Sequence, residues 1–284
     1  MPHRRSIGGP LSRRTLLTSG IAGLAATGLG LSTDSTTHQV DQRVSLAKNV
    51  SVERRYSEAR KQHVDMVAIH PAGVSPRGLP VCLMLHGRFG DALDSVAGLP
   101  TWLSNSVAAG RIPPFTLLSV DGGPNNYWHR RPDDDAMSML LDEVPRWLAE
   151  RGLSRPIAAA GISMGGFGAL VYARRRRELG EPLRAAGVIA PALHTNWREM
   201  RKRRAFTNEA EWTAIDPLRH IKSLGDLPVG VWCGNGDRFI DGTRRFIRLA
   251  DPTYASTSPG RHNKTYFRKA LPELVDFIGG HIRP

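Results

Sequence analysis

Ser163 stands in "GISMGGFGAL" (161–170), with Gly161 and Gly165 two positions to either side. A serine hydroxyl is a poor nucleophile near neutral pH. It needs a histidine to take its proton and a carboxylate to orient that histidine and stabilise the resulting cation. In a Gly-rich chain the G-x-S-x-G pattern alone is a weak signal, so its flanks decide. "RPIAAAG" before it reads as a short buried strand, the glycines let the chain turn sharply, and "GGFGALVYARRRR" continues as a helix with Phe167, Leu170 and Val171 on one side. Strand, strained turn and helix are the context in which a serine is held out as a nucleophile.

The histidines after Ser163 are His194, His220, His262 and His281. His220 lies in the helix-like "DPLRHIKSL" and His281 near the C-terminus, where both read as surface or helix-end residues. His194 ends a strand without a strand-end acid between it and Ser163. His262, in the loop "SPGRHNKTYF" before the final helix, is the best base. For the acid, Asp237 follows the strand "VGVWCGNG" through a Gly-rich turn, whereas Asp241 reads as the N-cap of "DGTRRFIRLA", so Asp237 is preferred. The order Ser, acid, His is then satisfied. Acyl transfer also needs N–H donors for a developing oxyanion: the amide of Met164 supplies one, and the turn "LMLHGRFGD" supplies the second from Arg88.

These positions require a scaffold that presents strand ends. Apolar runs at 63–71, 80–87, 115–123, 156–161, 185–192 and 228–237 alternate with helical stretches, which predicts an α/β fold with a mostly parallel central sheet and helices on both faces. "DDDAMSMLLDEV" (133–144) has an apolar helical face and three aspartates at its start; capping explains Asp133 to Asp135 better than a metal site does. Residues 193–227 are expected to form a small helical cover over the sheet edge. Cys82 and Cys233 sit in interior strands that are not neighbours, so two buried unpaired thiols are expected.

Residues 1–33 have the form of an export signal: Arg13 and Arg14 in "SRRTLL" precede an uncharged, Gly-rich stretch and resemble a twin-arginine signal. Residues 34–59 read as a lead-in and 60–284 as one α/β domain. The chain carries a net charge of +13, and loss of Arg4, Arg5, Arg13 and Arg14 with the signal leaves about +9. The clusters at 173–180 and 197–206 read as solvated helix faces that would associate loosely with an anionic cell-envelope surface. No recognition-helix, zinc-finger or RNA-platform pattern accompanies them, which argues against a nucleic-acid partner.

Five stretches, "LHGRFGD", "DGGPNNYWHRR", "GISMGGFGAL", "CGNGDRF" and "PGRHNKTYF", resemble the esterase D-like branch of α/β-hydrolases, which includes S-formylglutathione hydrolases and cell-wall mycolyltransferases. The resemblance runs from about residue 60 to the end. It implies an α/β-hydrolase fold with Ser163, Asp237 and His262 as the triad and Arg88 and Met164 as the oxyanion pair. It also implies a cleft-side loop in which Trp128 and His129 are pocket walls. One departure is Asn263, where many relatives carry Asp after the histidine.

The expectation is an exported serine esterase acting on a small-molecule or lipid ester through an acyl-enzyme, with no metal or organic cofactor. The alternatives are an acyltransferase acting on envelope lipid or sugar, and a non-catalytic envelope-binding protein of the same fold.

Overall fold

In this computed structural model, residues 48–282 are described. The expected signal, with Arg13 and Arg14, and residues 34–47 lie outside them. Eight strands form one sheet: β1 (Val50–Ser57), β2 (Gln62–Ile69), β3 (Val81–Leu85), β4 (Thr116–Val120), β5 (Pro156–Ile162), β6 (Ala185–Ile189), β7 (Val229–Gly234) and β8 (Tyr254–Ser258). Their order across the sheet is β1-β2-β4-β3-β5-β6-β7-β8. β2 is antiparallel to both β1 and β4, and all pairs from β4 to β8 are parallel. The fold is the expected α/β-hydrolase architecture.

Strand alternation divides the interior. On β3, Val81, Leu83 and Leu85 join one core while Cys82 and Met84 join the other, as a period of two demands. The α-helices in the described residues are α1 (Ala92–Val96), α2 (Leu99–Ala108), α3 (Ala136–Ser138), α4 (Val144–Ala149), α5 (Met164–Glu178), α6 (Trp197–Met200), α7 (Glu209–Ile215), α8 (Ile240–Ala250) and α9 (Lys264–His281); α4 and α5 lie on the first face, α2 and α9 on the second. Cys82 and Cys233 are buried free thiols, and burial pushes the Cys233 thiol up to about 12.

The structure differs from the sequence reading in four places. β1 lies in the segment expected to be a lead-in, and β8 falls where the sequence predicts no strand. The 133–144 segment is not one capped helix: Asp134 binds the buried Arg60 at 2.6 Å and Asp133 pairs with Lys61, while Asp135 alone caps the turn by accepting from the Ser138 amide. A π-helical turn, Met139–Glu143, then leads into Pro145, which has no N–H to continue an α ladder. Residues 193–227 pack Met200, Phe206 and Trp212 into the first core, alongside α5, rather than covering a sheet edge.

α5 begins immediately after β5, and two glycines make that turn possible. A Cβ on Gly165 would overlap the Leu85 carbonyl at the end of β3, and one on Gly161 would overlap the Gly165 carbonyl. Both obstacles are backbone, so relief would shift the end of β3 in one case and the first turn of α5 in the other. Gly165→Ala is therefore expected to destabilise the protein by about 3 kcal/mol, lowering Tm by roughly 10 °C. Gly280→Ala, with open space around its Cβ, is expected to be neutral or stabilising by about 0.5 kcal/mol. Thermal unfolding of the two variants beside wild type checks the contrast; equal Tm values would remove the steric argument.

Candidate active site

Ser163 occupies the turn between β5 and α5 with φ 57° and ψ −116°, a region that side chains with a Cβ seldom adopt. Both sides hold it there. Its N–H donates to Ile189 O at 2.9 Å, and its carbonyl accepts from Phe167 and Ala192 amides at 3.1 and 2.9 Å. The turn lifts the side chain above the sheet, at the C-terminal ends of the parallel strands, where ligands of such sheets gather.

His262 Nε2 lies 2.9 Å from Ser163 Oγ, and His262 Nδ1 lies 2.7 Å from Asp237 Oδ2. An ionised Asp237 can only accept, so Nδ1 carries the proton and Nε2 is left to accept from the serine hydroxyl. Asp237 Oδ1 accepts from the Phe239 amide at 2.8 Å, which fixes the carboxylate's rotation. The imidazole is clamped edge-on between Phe239 and Phe267, with ring centroids at 4.9 and 5.0 Å. Gly260 makes this loop possible, since a Cβ there would overlap Tyr266, and its carbonyl accepts from the Gly236 amide at 2.9 Å. The loops carrying His262 and Asp237 are thereby tied together.

The Met164 amide is an orphan donor at a helix N-terminus, where the dipole also favours negative charge. Among the described residues, neither it nor the Arg88 amide donates to a protein acceptor. The turn carrying Arg88 is anchored through His86, whose Nε2 accepts from the Gly122 amide at 2.8 Å and whose Nδ1 donates to Gly87 O at 2.8 Å. The Phe89 amide adds a bond to Pro124 O at 2.8 Å. His86 is thus a neutral strut, and burial lowers its pKa.

Ser163 and His262 open into a cleft of about 490 Å³, the size of an ordinary small-molecule site. Trp128 and His129 do not line it. Trp128 is fully buried, its indole N–H donating to His86 O at 3.3 Å; His129 is buried against Phe206, its Nε2 at 3.0 Å from Ala205 O. Tyr127 lines the cleft in their place. Tyr127 and Trp128 both take positive φ and both are buried in the first core, but only Tyr127 reaches the cleft wall. Arg203, Arg238, Phe239 and Phe267 also line it. Sequence reasoning did not single them out, although Arg238 directly follows the acid.

The other histidines and acids fall away. His194 is buried beside Phe239 and Tyr127, His220 bonds Thr213 O at 3.0 Å, and His281 bonds Phe277 O at 2.8 Å. Asp241 sits in the first turn of α8 (Ile240–Ala250) rather than capping it; Phe239 occupies the cap position. Among the described residues no group of three or more His, Cys, Asp or Glu could hold a metal ion.

A family model described as "Putative esterase" matches residues 57–278. No curated protein sequence matches the chain. Among solved structures, a ferulic acid esterase is similar with a TM-score of 0.69 at 17% identity, covering 82% of this chain and 98% of that one. An S-formylglutathione hydrolase from Agrobacterium tumefaciens gives 0.66 at 16%, covering 82% and 95%. MPT51 from Mycobacterium tuberculosis gives 0.61 at 19%, covering 82% and 100%. Identities this low establish the fold and leave substrates open.

Two buried groups should set opposing pH dependences. Burial, then the field of Arg203, lowers His194 from 6.5 to about 4; burial raises Asp216 from 3.8 to about 6. The folded state binds fewer protons at His194 than the unfolded chain does between pH 6.5 and 4, so this group removes stability as pH falls through that window. Asp216 binds more protons when folded between pH 6 and 3.8, so it adds stability as pH falls. Relative to wild type, His194→Gln should therefore gain about 3 kcal/mol on going from pH 7 to 4, and Asp216→Asn should lose about 3 kcal/mol. Urea unfolding at both pH values reads the two differences; differences that do not change with pH would contradict the assignment.

Proposed function

Because the chain belongs to the Esterase family, we propose that it is a serine esterase working through Ser163, His262 and Asp237 and an acyl-enzyme intermediate. The observation that carries this reading is the unbroken hydrogen-bonded chain from Asp237 through His262 to Ser163, at 2.7 and 2.9 Å.

In the first half-reaction Ser163 Oγ attacks the ester carbonyl carbon as its proton passes to His262 Nε2. Asp237 stabilises the imidazolium without itself taking the proton. The carbonyl π pair moves onto oxygen, and the Met164 and Arg88 amides receive that oxyanion. Collapse re-forms the carbonyl and breaks the bond to the alcohol, which leaves with the proton from His262. Water then attacks the acyl carbon, gives its proton to His262, and the acid departs as that proton returns to Ser163 Oγ. The protein ends as it began, and no step calls on a metal or an organic cofactor.

Ser163→Ala should lower kcat/KM toward short p-nitrophenyl esters at least about 10⁴-fold and abolish labelling by a fluorophosphonate probe. Asp237→Asn should retain the fold while lowering kcat about 10⁴-fold, because the imidazole loses its fixed tautomer. Undiminished hydrolysis by the alanine variant would remove Ser163 from the mechanism.

The reading includes export. Arg13 and Arg14 before the uncharged, Gly-rich stretch support a twin-arginine route, which carries folded domains and suits two thiols that need no oxidative pairing. An Arg13→Lys, Arg14→Lys double variant should accumulate inside the producing cell; normal export of it would refute the route.

A further inference from the structure

We propose that the ester this protein hydrolyses carries an anionic group, a carboxylate or a phosphate, received by the guanidinium groups of Arg203, Arg238 and Arg88 in the cleft wall. The proposal rests on the serine-esterase reading and names the substrate class of the same site.

Three separate elements bring these cations together. Arg88 follows β3, Arg203 ends the short 3₁₀ turn Arg201–Arg203, and Arg238 follows Asp237 directly; all three line the cleft with Ser163. Phe239 organises two of them, since the guanidinium carbons of Arg203 and Arg238 stand 5.5 and 5.7 Å from its ring centroid. The same ring packs on His262, which couples the cation pair to the base. Arg203 is held from behind as well, its carbonyl accepting from Asn125 Nδ2 at 2.8 Å. Arg88 lies over Phe89, 4.3 Å from the ring centroid.

Among the arginines with a buried, unpartnered guanidinium nitrogen, Arg88 and Arg203 stand apart by lacking a carboxylate partner, and Arg238 adds an exposed guanidinium beside them. Buried guanidinium nitrogens without a hydrogen-bond partner occur in Arg55, Arg151, Arg176, Arg88 and Arg203. The first three each lie against a carboxylate, Glu150, Glu53 and Glu181 respectively. Among the described residues, Arg88, Arg203 and Arg238 have no carboxylate within ion-pair distance. Leaving a desolvated guanidinium N–H unpaired costs free energy that an ion pair elsewhere in this chain offsets. The carboxylate in the cleft wall, Asp94, is taken by Lys264 at 3.3 Å. Convergence is visible on the neighbours too. All three guanidiniums act on the Tyr127 phenol, opposing the burial that pushes it up to about 12.

Planar, forked N–H donors without a resident acceptor, inside a small-molecule cleft, suit bidentate recognition of carboxylate or phosphate oxygens. A neutral ester would occupy the cleft and leave those donors unpaired.

The test compares matched esters at low ionic strength. Mono-4-nitrophenyl succinate against 4-nitrophenyl butyrate places the anion on the acyl side; acetylglycerol phosphate against acetylglycerol places it on the alcohol side. At least one anionic ester should show a kcat/KM tenfold or more above its neutral counterpart. An Arg203→Gln, Arg238→Gln double variant should cut that ratio at least tenfold, and lysines at the two positions should restore part of it. Calorimetric binding of the same esters to Ser163→Ala reads the site without turnover. Equal turnover and equal binding of charged and neutral esters, with neutral esters still hydrolysed, would overturn the anion site and leave the esterase reading standing. Arginine-dependent binding of an anionic ester without hydrolysis of any ester by wild type would do the reverse.

Discussion

The backbone of Ser163 is the constraint around which the rest of the molecule is arranged. A φ of 57° with ψ of −116° costs of order 1–3 kcal/mol for a residue with a Cβ. It persists because three backbone hydrogen bonds, from β6 and from the first turns beyond, over-determine it. Two glycines remove the side chains that would collide as α5 closes against the ends of β3 and β5. That close approach does two things at once. It aims the helix N-terminus at the space above the serine, and it brings the Arg88 turn alongside. The Met164 and Arg88 amides and the Ser163 hydroxyl are consequently set by one steric solution rather than by separate loops.

The remaining groups are secured by a different device, the mutual bracing of loops at the ends of β3, β4, β7 and β8. His86 bridges the first pair through the Gly122 amide, and Asp121 adds a second tie by accepting from the Asp65 and Ala92 amides. The acid and base loops are joined through Gly236 and Gly260. Aromatic packing then removes freedom from the imidazole: Phe239 and Phe267 leave His262 a narrow slot with Asp237 at one end and Ser163 at the other. Phe239 also carries the two guanidiniums on its ring. The position of His262 and that of two of the cleft cations thus depend on a single side chain.

The central strands were legible because burial on both faces leaves near-continuous apolar runs, as in "PVCLMLHG" and "RPIAAAG". The edge strands were not, for the same reason inverted. β1, with the sequence VSVERRYS, and β8, YASTS, are half exposed and carry polar residues at most positions, so neither run stands out from a loop. Ser163, His262 and Asp237 could be found because each follows a strand or a Gly-rich turn in the chain order this fold requires. Trp128 and Tyr127 could not be told apart, since both rings are buried and only the tertiary fold decides that Tyr127 reaches the cleft. Arg203 was read as one charge in a solvated cluster. Its role in the cleft wall depends on the left-handed turn at Arg204 and on Asn125 holding its carbonyl, both features of tertiary structure.

Asn263 shows how a departure from the family pattern divides into a structural part and an electrostatic part. Its side chain caps α9 by accepting from the Tyr266 amide at 3.0 Å, a function Asp performs about equally well, so the substitution leaves the helix and the adjoining His262 loop in place. What changes is charge. An aspartate here would add a carboxylate beside His262 and next to Lys264, which lines the cleft; the amide adds none. With Asp94 paired to Lys264, the wall facing Ser163 keeps its positive charge uncompensated. A carboxylate at 263 would offset part of that charge without improving the fold, so on the proposal of an anionic ester the neutral cap favours its binding.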